Sequence, residues 1–383
     1  MRKLLLAFCA FATICSAGAQ WKPAGDKIKT DWAEKVDPRN VLPEYPRPGM
    51  ERADWQNLNG EWEYAILPKG QAEPTSFDGN ILVPFAVESS LSGVQKEVGE
   101  KNELWYKRTF TVPSSWKGKD ILLNFGAVDW KADVFVNDIL IGSHTGGFTP
   151  FSLNITPYLN GKSTHKLVVR VWDPSDKGYQ PRGKQVANPE GIWYTPVTGI
   201  WQTVWMEYVP EVYITELEGI PDIDRNVVRI CVHASEPEQK CRITVHKAAI
   251  YPEAMKCAED VSSLFEIPET VITETKGNTS AWIEIPVPDV RLWTCEEPYL
   301  YYYKVTMGED QIISYFAMQK FSLEPDAETE GFPRICLNGK EQFQNGVLDQ
   351  GYWPEGLYTP PCDEAFIFDI TEMKKTGFNM VRK

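Results

Sequence analysis

Apolar and polar residues alternate with period two at 60–66, a pattern that predicts a β-strand with one buried face. Further short strands are predicted at 104–106 leading into 109–112, 121–125, 134–136, 139–141, 166–172 and 199–209. Asn137 and Asp138 separate two of them and predict a hairpin with a two-residue turn. Short strands with turn residues between them are typical of an all-β sandwich.

A polar segment precedes these strands. Residues 20–50 are rich in proline, which favours extended chain over a fold of its own. We therefore expect this segment to wrap a domain surface, and we assign residues 20–210 to a first domain.

A second and smaller block of strands follows. Its strands are predicted at 211–220, 227–232, 242–246, 281–285 and 299–306. A block of this length and spacing is typical of an immunoglobulin-like sandwich, which we place at residues 211–328.

The pattern changes in kind after residue 328. Residues 342–348 predict a strand, 349–362 a loop rich in Gly and Pro, 363–376 an α-helix and 378–382 another strand. The helix has an apolar face, acidic residues in its first turn, lysines in its last turn and Gly377 as a stop. A strand–helix–strand unit requires a parallel sheet.

The last unit, residues 329–383, is too small to bury both faces of such a sheet. We therefore expect the sequence to be a fragment cut early inside an α/β domain. The helix face formed by Phe366, Ile370 and Met373 is then expected to be exposed and to promote aggregation.

The charge balance narrows the possible partners. The chain has 53 acidic and 39 basic residues and a formal net charge of −14. An acidic chain is poorly suited to phosphate backbones, so we expect no nucleic-acid partner.

The first nineteen residues have the pattern of a secretory signal peptide. Arg2 and Lys3 precede an apolar run at 4–14, and a small-x-small cleavage site follows at 17–19. The run is too short for a permanent membrane span. Cys15 raises the alternative of a lipoprotein site, which bulky Ile14 before it disfavours. We expect export to the periplasm or the cell exterior, with no membrane span in the mature chain.

Cysteine and histidine spacing argues against a metal or redox site. The six cysteines outside the signal form no C-x-x-C pair, and the four histidines are scattered. A nucleophile elbow and a Gly-rich phosphate loop are both missing from the sequence. We therefore predict no cofactor and no metal. Cys231 and Cys241 lie on neighbouring predicted strands and either pair across a hairpin or remain free buried thiols.

Candidate binding residues lie where the two strands of the last unit end. Asp349 and Gln350 follow the first strand and Arg382 ends the second. Function in parallel α/β folds sits at these carboxyl ends, and this set of polar groups suits polyhydroxylated ligands. The alternative is that Asp349 caps a loop and Arg382 makes a structural salt bridge.

The aromatic segment 191–201 offers a second candidate. Sugar rings stack on exposed aromatic faces, so Trp193 and Tyr194 are candidates to line a sugar site. Trp201 and Trp205 lie on one face of a predicted strand, where core or inter-domain packing is the favoured role.

Taken together, these motifs make the chain similar to the N-terminal part of glycoside hydrolase family 2, the family of β-galactosidases, β-glucuronidases and β-mannosidases. The matching segments occur in the family's order at 45–48, 55–62, 83–89, 104–108, 134–142, 144–151, 180–185, 199–205, 298–301, 337–340, 346–350 and 377–382. Their number and order, over nearly the whole mature chain, carry the resemblance.

The resemblance implies a jelly-roll sandwich, an immunoglobulin-like sandwich and the start of a (β/α)8 barrel. It also implies a retaining exo-glycosidase with two catalytic Glu residues about 5–5.5 Å apart. A full barrel needs about 250 residues, so this pair is expected beyond Lys383. Arg382 matches the family arginine beside the nucleophile, and by resemblance it supports that group rather than reacting itself.

One segment departs from the family pattern. The β-galactosidases carry an Asn-Arg-His-Glu run where this chain has Leu348-Asp349-Gln350-Gly351. Gln350 stands nearest to the substrate-contacting His, and the sugar-contacting Asp of the first domain has no match near 188–190. The resemblance therefore extends neither to galactose specificity nor to the magnesium site of those enzymes.

Three functions follow from the sequence. The favoured one is the N-terminal portion of a secreted glycosidase acting on an oligo- or polysaccharide, inactive by itself. The second is a non-catalytic carbohydrate-binding module. The third is a secreted protein that binds other proteins through the sandwich surface.

Overall fold

The computed structural model describes residues 21–247, 270–325 and 331–383. The predicted signal peptide and Cys257 lie outside these residues. The described chain is mainly β-structure, as predicted. Within it no helix has the length and apolar character needed to cross a membrane.

Two antiparallel sheets form the first sandwich. One has the strand order β3-β2-β4-β10-β7-β8 and the other β1-β12-β5-β9, while β6 and β11 pair separately. The strands are β1 (Trp55–Asn57), β2 (Gly60–Pro68), β3 (Gly79–Val83), β4 (Asn102–Phe110), β5 (Asp120–Phe125), β6 (Val128–Asp129), β7 (Lys131–Val136), β8 (Ile139–Thr145), β9 (Phe151–Asn154), β10 (His165–Trp172), β11 (Gly199–Ile200) and β12 (Val204–Val209).

One apolar core lies between these two sheets. Trp62, Tyr106 and Val169 from the six-stranded sheet share it with Phe125 and Met206 from the four-stranded sheet. These side chains are buried because alternate residues of each strand point to the same face. Burying a large apolar side chain contributes about 1.5–3 kcal/mol, so this core dominates the stability of the sandwich.

The N-terminal segment packs on the outside of the first sandwich. It contains the short 3-10 turns Asp31–Lys35 and Pro48–Met50, and two further 3-10 turns lie at Ser114–Trp116 and Thr156–Tyr158. Ala33, Val36 and Val41 from the segment share a small core with Leu82 and Phe85.

The predicted hairpin turn is confirmed. Strands β7 and β8 pair in antiparallel fashion on either side of Asn137 and Asp138. Their φ angles are 49° and 70°, the left-handed values that a two-residue hairpin turn requires.

The predicted strand 199–209 is wrong as one continuous element. Residues 201–203 interrupt it, so β11 pairs with β6 while β12 joins the four-stranded sheet. Two hydrogen bonds to residues distant in the sequence account for the interruption. The indole N–H of Trp201 donates to the carbonyl of Gly147 (2.7 Å), and the backbone N–H of Val204 donates to the Asn59 side chain (3.0 Å).

The second sandwich has sheets of three and four strands in the described chain. Their orders are β13-β14-β17 and β16-β15-β18-β19. The strands are β13 (Ile214–Asp222), β14 (Val227–Ala234), β15 (Lys240–His246), β16 (Val271–Asn278), β17 (Trp282–Pro286), β18 (Tyr301–Met307) and β19 (Asp310–Phe316). Ile230 and Val232 meet Ile243, Tyr301 and Tyr303 in the shared core.

The pairing of Cys231 with Cys241 across a hairpin is wrong. Strands β14 and β15 belong to different sheets, so the two residues are not hairpin neighbours. Both are free thiols, and both are buried.

The last part of the described chain contains a small antiparallel sheet and then the predicted strand–helix–strand unit. The antiparallel sheet is β20 (Phe321–Pro325), β21 (Pro333–Leu337) and β22 (Lys340–Glu341). Strand β23 (Gly346–Leu348), helix α1 (Asp363–Lys375) and strand β24 (Met380–Arg382) follow, and β23 and β24 pair in parallel.

The predicted strand 342–348 is too long by four residues, since β23 spans only Gly346–Leu348. Side-chain hydrogen bonds hold the preceding residues in another conformation. Asn345 donates to the carbonyl of Gly377 (2.9 Å), and Asn379 donates to the carbonyl of Phe343 (2.8 Å). On α1, Ala365 is buried, Phe366 and Met373 are half-buried, and Ile370 is exposed.

A buried arginine ties the two sandwiches together. The guanidinium of Arg52 lies 2.9 Å from Asp310 on β19 and 3.3 Å from Glu207 on β12. It also donates to the carbonyl of Ile214 at the start of β13 (2.8 Å). One cation therefore joins groups from both sandwiches.

Candidate functional site

Residues 349–361, here the junction loop, connect the parallel strand β23 to α1 and pack against the first sandwich. The Tyr352 hydroxyl donates to the carbonyl of Thr195 (2.5 Å), and the Thr359 hydroxyl donates to the carbonyl of Trp201 (2.5 Å). The backbone N–H of Leu91 donates to the carbonyl of Glu355 (3.0 Å). The loop thus brings the mouth of the parallel strands beside the first sandwich.

An aromatic cluster fills this junction, formed by Phe148, Tyr194, Trp201, Tyr352 and Tyr358. Tyr194 stacks on Tyr352 with ring centroids 4.3 Å apart and an angle of 15°. Tyr358 contacts both Trp201 (5.2 Å) and Phe148 (5.9 Å). The edge of the cluster reaches solvent, because Phe148 is 41% exposed. Aromatic faces beside polar loop atoms suit a ligand with both apolar C–H faces and hydroxyl groups.

A cluster of three buried acids lies in the same region, formed by Glu88, Asp129 and Asp173. Gln185 joins one of them to the aromatic segment, since its amide donates to Asp129 (3.0 Å) while its oxygen accepts the N–H of Val197 (2.5 Å).

Thr198 links the other two acids. Its backbone N–H donates to Glu88 Oε2 (2.9 Å), and its hydroxyl donates to Asp173 (3.0 Å). The second oxygen of Glu88, Oε1, is buried and lacks a hydrogen-bond partner among the residues that the structure describes. The three carboxyls therefore hold the segment 197–198 in place.

Burial dominates the acid–base behaviour of this cluster. It raises the pKa of Glu88 to about 8, with the charge of Asp173 adding to the effect against the opposing N–H of Thr198. Burial also raises the pKa of both Asp129 and Asp173, and the charge of Asp173 adds to the effect on Asp129. With a pKa of about 8, Glu88 is largely protonated at neutral pH and supports the loop mainly by hydrogen bonding.

The Asp129 carboxylate packs closely against the backbone of Gly147. A Cβ atom at Gly147 would lie 2.3 Å from the Asp129 carboxylate, so no other residue fits there without displacing it. Sequence reasoning missed the three acids. Two of them could have been found from the sequence, because an acidic residue lies within or directly after an apolar stretch at 125–136 and at 167–173.

The predicted residues Asp349, Gln350 and Arg382 lie together at the ends of β23 and β24. Asp349 accepts hydrogen bonds from the N–H of Gly351 (2.7 Å) and from Lys383 (2.9 Å). Partial burial alone would raise the pKa of Asp349, but the contacts with Lys383 and Gly351 outweigh it and hold this pKa below its usual value. The Gln350 and Arg382 side chains are exposed.

The predicted aromatic residues lie at the same junction. Trp193 is 40% exposed, with the Arg182 guanidinium 6.0 Å from its ring, and Tyr194 belongs to the aromatic cluster. Trp201 packs against the junction loop, whereas Trp205 is buried near Tyr45. The structure therefore brings Tyr194 onto Tyr352 of the loop that begins with Asp349 and Gln350, and Trp193 is its neighbour in the chain. Their roles in ligand binding stay predictions.

A separate cleft of about 280 Å³ opens between the loops 97–102 and 174–177. Its rim carries Glu97, Glu100, Lys101, Asp176 and Lys177. It borders the acid cluster through Ser175, whose N–H donates to Asp173 (2.7 Å).

Residues 55–206 match the sugar binding domain of the glycosyl hydrolases family 2. Among curated proteins, a β-galactosidase of Thermoanaerobacter pseudethanolicus is 24% identical over 77% of this chain and 38% of its own length. A β-galactosidase of Bacteroides ovatus is 26% identical over 79% of this chain and 32% of its own length. The chain thus spans about a third of the length of these relatives.

Solved structures show the same fold. A β-glucuronidase of Lactobacillus rhamnosus superposes with a TM-score of 0.67 at 20% identity, covering 86% of this chain and 54% of that one. A β-glucuronidase of Ruminococcus gnavus superposes with a TM-score of 0.67 at 18% identity, covering 90% of this chain and 56% of that one. These likenesses agree with the mainly β architecture.

Proposed function

The chain belongs to glycoside hydrolase family 2 through its sugar-binding domain at residues 55–206, and we propose that it is the N-terminal portion of an exported, retaining exo-glycosidase. In this proposal the first sandwich is the family's jelly roll and the second its immunoglobulin-like domain. The unit β23–α1–β24 is the first βαβ unit of a (β/α)8 catalytic barrel.

One observation carries the proposal. The junction loop leaves the carboxyl end of a parallel strand and packs on the sugar-binding domain, through Tyr352 on Tyr194 and Thr359 on Trp201. The carboxyl ends of barrel strands are where active sites form. The sugar-binding domain therefore contributes aromatic side chains to the same mouth.

The residues of this chain would bind and orient the sugar. Trp193 and Tyr194 offer faces to its C–H groups, and Asp349 and Gln350 offer hydrogen-bond partners to its hydroxyls. Asp349 is ionised at neutral pH because its pKa lies below the usual value. Arg382 would hold the nucleophile ionised and oriented by charge-assisted hydrogen bonds.

The two reacting carboxylates would come from the part of the family's length that this chain does not span. A retaining enzyme needs a nucleophile and an acid/base group about 5–5.5 Å apart. We do not assign either role to an acid of this chain. The buried acids Glu88, Asp129 and Asp173 support the junction loop's docking surface, and none of them is exposed to a substrate.

The first prediction concerns activity. The purified 383-residue chain should hydrolyse neither nitrophenyl β-galactoside nor nitrophenyl β-glucuronide, because in this proposal the reacting carboxylate pair lies outside these residues. A full-length family 2 enzyme assayed in parallel serves as the positive control. Turnover that copurifies with the chain would overturn this part of the proposal.

The second prediction concerns binding. Trp193→Ala should weaken the binding of methyl β-galactoside or methyl β-glucuronide several-fold, since an aromatic contact contributes about 0.5–1.5 kcal/mol. Titration calorimetry on the native chain and the variant measures the change. Trp282→Ala is the matched control, because Trp282 is similarly exposed (44%) but lies on the second sandwich. Equal affinities for the native chain and the Trp193 variant would remove Trp193 from the site.

A further inference from the structure

The outer face of the three-stranded sheet in the second sandwich carries three side chains with metal-ligand chemistry. Glu218 on β13 lies directly opposite Cys231 on β14. His233 lies two residues beyond Cys231 and so shares its face of the sheet. Ile230 and Val232, the alternate residues, are fully buried in the core. The topology therefore places a carboxylate, a thiol and an imidazole together on the outside.

Their donor atoms lie close enough for one ion. The carboxylate oxygen, the sulfur and the ring nitrogen all lie within 4.8 Å of one another. The closest pair, Nε2 of His233 and Oε1 of Glu218, is 2.6 Å apart. A tetrahedral Zn²⁺ with bonds of about 2.0–2.3 Å separates its ligand atoms by about 3.3–3.5 Å. Side-chain movements of about 1 Å satisfy that geometry, which rotamer adjustment at a sheet surface allows.

The three side chains are buried to different extents. Cys231 is only 5% exposed, whereas the His233 and Glu218 side chains are 36% and 48% exposed. The sulfur thus lies at the base and the other two ligands at the rim. Trp282 on β17 lies opposite Cys231 on the other side, with the Arg229 guanidinium 5.6 Å from its ring. The sulfur is enclosed by neighbouring strands while the rim stays open to solvent.

We propose that Glu218, Cys231 and His233 bind a divalent transition-metal ion of the zinc class, with water as the fourth ligand. A thiolate and an imidazole favour such ions over Mg²⁺ or Ca²⁺. Binding releases the thiol proton to solvent and links β13 to β14 through the ion. An exposed His–Glu pair alone adds little to stability, and it gains a specific role once the sulfur beneath it joins the coordination.

This site does not depend on the proposed glycosidase function, and it revises the expectation of no metal. The four histidines show no ligand spacing along the sequence because Glu218 and His233 come from paired strands. Only the register of β13 on β14 brings them together.

Titration of the native chain with Co²⁺ under reducing conditions tests the proposal. One equivalent should give a thiolate-to-cobalt charge-transfer band and the visible bands of four-coordinate cobalt, and Zn²⁺ should displace both. Cys231→Ser should abolish the charge-transfer band. His233→Asn and Glu218→Gln, both at exposed positions, should weaken Co²⁺ binding at least tenfold.

Cys241→Ala is the matched control, since Cys241 is a buried free thiol on the core side of the same sandwich. It should keep the band and the affinity. If the Cys231 variant does not fold, as judged by circular dichroism, the Co²⁺ affinities of the His233 and Glu218 variants test the proposal instead. A native chain without the band, a band that survives in Cys231→Ser, or an unchanged affinity in both rim variants overturns the proposal.

Discussion

Replacement of Arg52 by Ala is expected to lower the free energy of unfolding by about 3–5 kcal/mol, the usual cost of leaving a buried charge without its partner. Arg52 lies 2.9 Å from Asp310 and 3.3 Å from Glu207, and both acids are almost fully buried. The substitution takes this cation from buried Asp310, while Glu207 keeps the Arg47 guanidinium at 2.6 Å. It also removes the hydrogen bond to the carbonyl of Ile214 (2.8 Å).

Urea unfolding monitored by tryptophan fluorescence measures this loss. Arg39→Ala is the matched control, because the Arg39 side chain is 88% exposed and pairs with Asp37 at the surface. We expect that control to lie within about 0.5 kcal/mol of the native chain. Because Arg52 joins both sandwiches, its loss should also separate one transition into two. A change below about 1 kcal/mol, with a single transition kept, would contradict the structural role given to Arg52.

A rise in pH from 5 to 8 is expected to destabilise the chain. Glu88 has a pKa of about 8 in the folded chain, and burial also raises the pKa of Asp129. Unfolded Glu and Asp side chains titrate near pH 4. Within this window the folded state therefore holds protons that the unfolded state has released. The stabilising contribution of these carboxyls is fully present below about pH 4 and falls by about 1.4 kcal/mol per pH unit for each of them, until the folded pKa is passed.

Urea midpoints and unfolding free energies at several pH values measure this slope. Glu88→Gln should reduce the slope and should raise stability at pH 8, since the amide keeps the shape without the ionisation. Glu61→Gln is the control, because Glu61 is an exposed residue of β2. Carboxyl groups whose pKa is lowered, such as Asp349, act in the acid range, whereas burial lowers the pKa of His165 and opposes the slope only below the usual histidine pKa. Stability that is flat or rising from pH 5 to 8 would contradict the neutral state of the buried acids.

Much of the architecture was predictable because local signals determine it. Asn137 and Asp138 combine turn chemistry with apolar segments on both sides, and both adopt the left-handed conformation. The predicted helix 363–376 is observed at Asp363–Lys375. The strand–helix–strand order predicted the parallel pairing that β23 and β24 adopt. The number and order of the short sequence motifs also indicated the family.

The features that could not be predicted from the sequence depend on contacts between residues distant in the chain. Trp201 breaks a predicted strand because its indole bonds to Gly147, 54 residues away. Cys231 and Cys241 are ten residues apart in sequence but lie in different sheets. Burial of Glu88 and Asp129 follows from the packing of the junction loop and from the β6–β11 pairing. None of these contacts leaves a periodic pattern in the chain.

The hydrogen bonds of the junction loop have an evolutionary consequence. Tyr352 and Thr359 donate to the main-chain carbonyls of Thr195 and Trp201, and the main chain of Leu91 bonds to the main chain of Glu355. A carbonyl oxygen is present whatever side chain its residue carries. Substitution at positions 91, 195 or 201 therefore removes none of these partners. Because the acceptors are main-chain atoms, a junction that keeps the Tyr352 and Thr359 hydroxyls can persist while sequences drift to the 18–26% identity seen among the relatives.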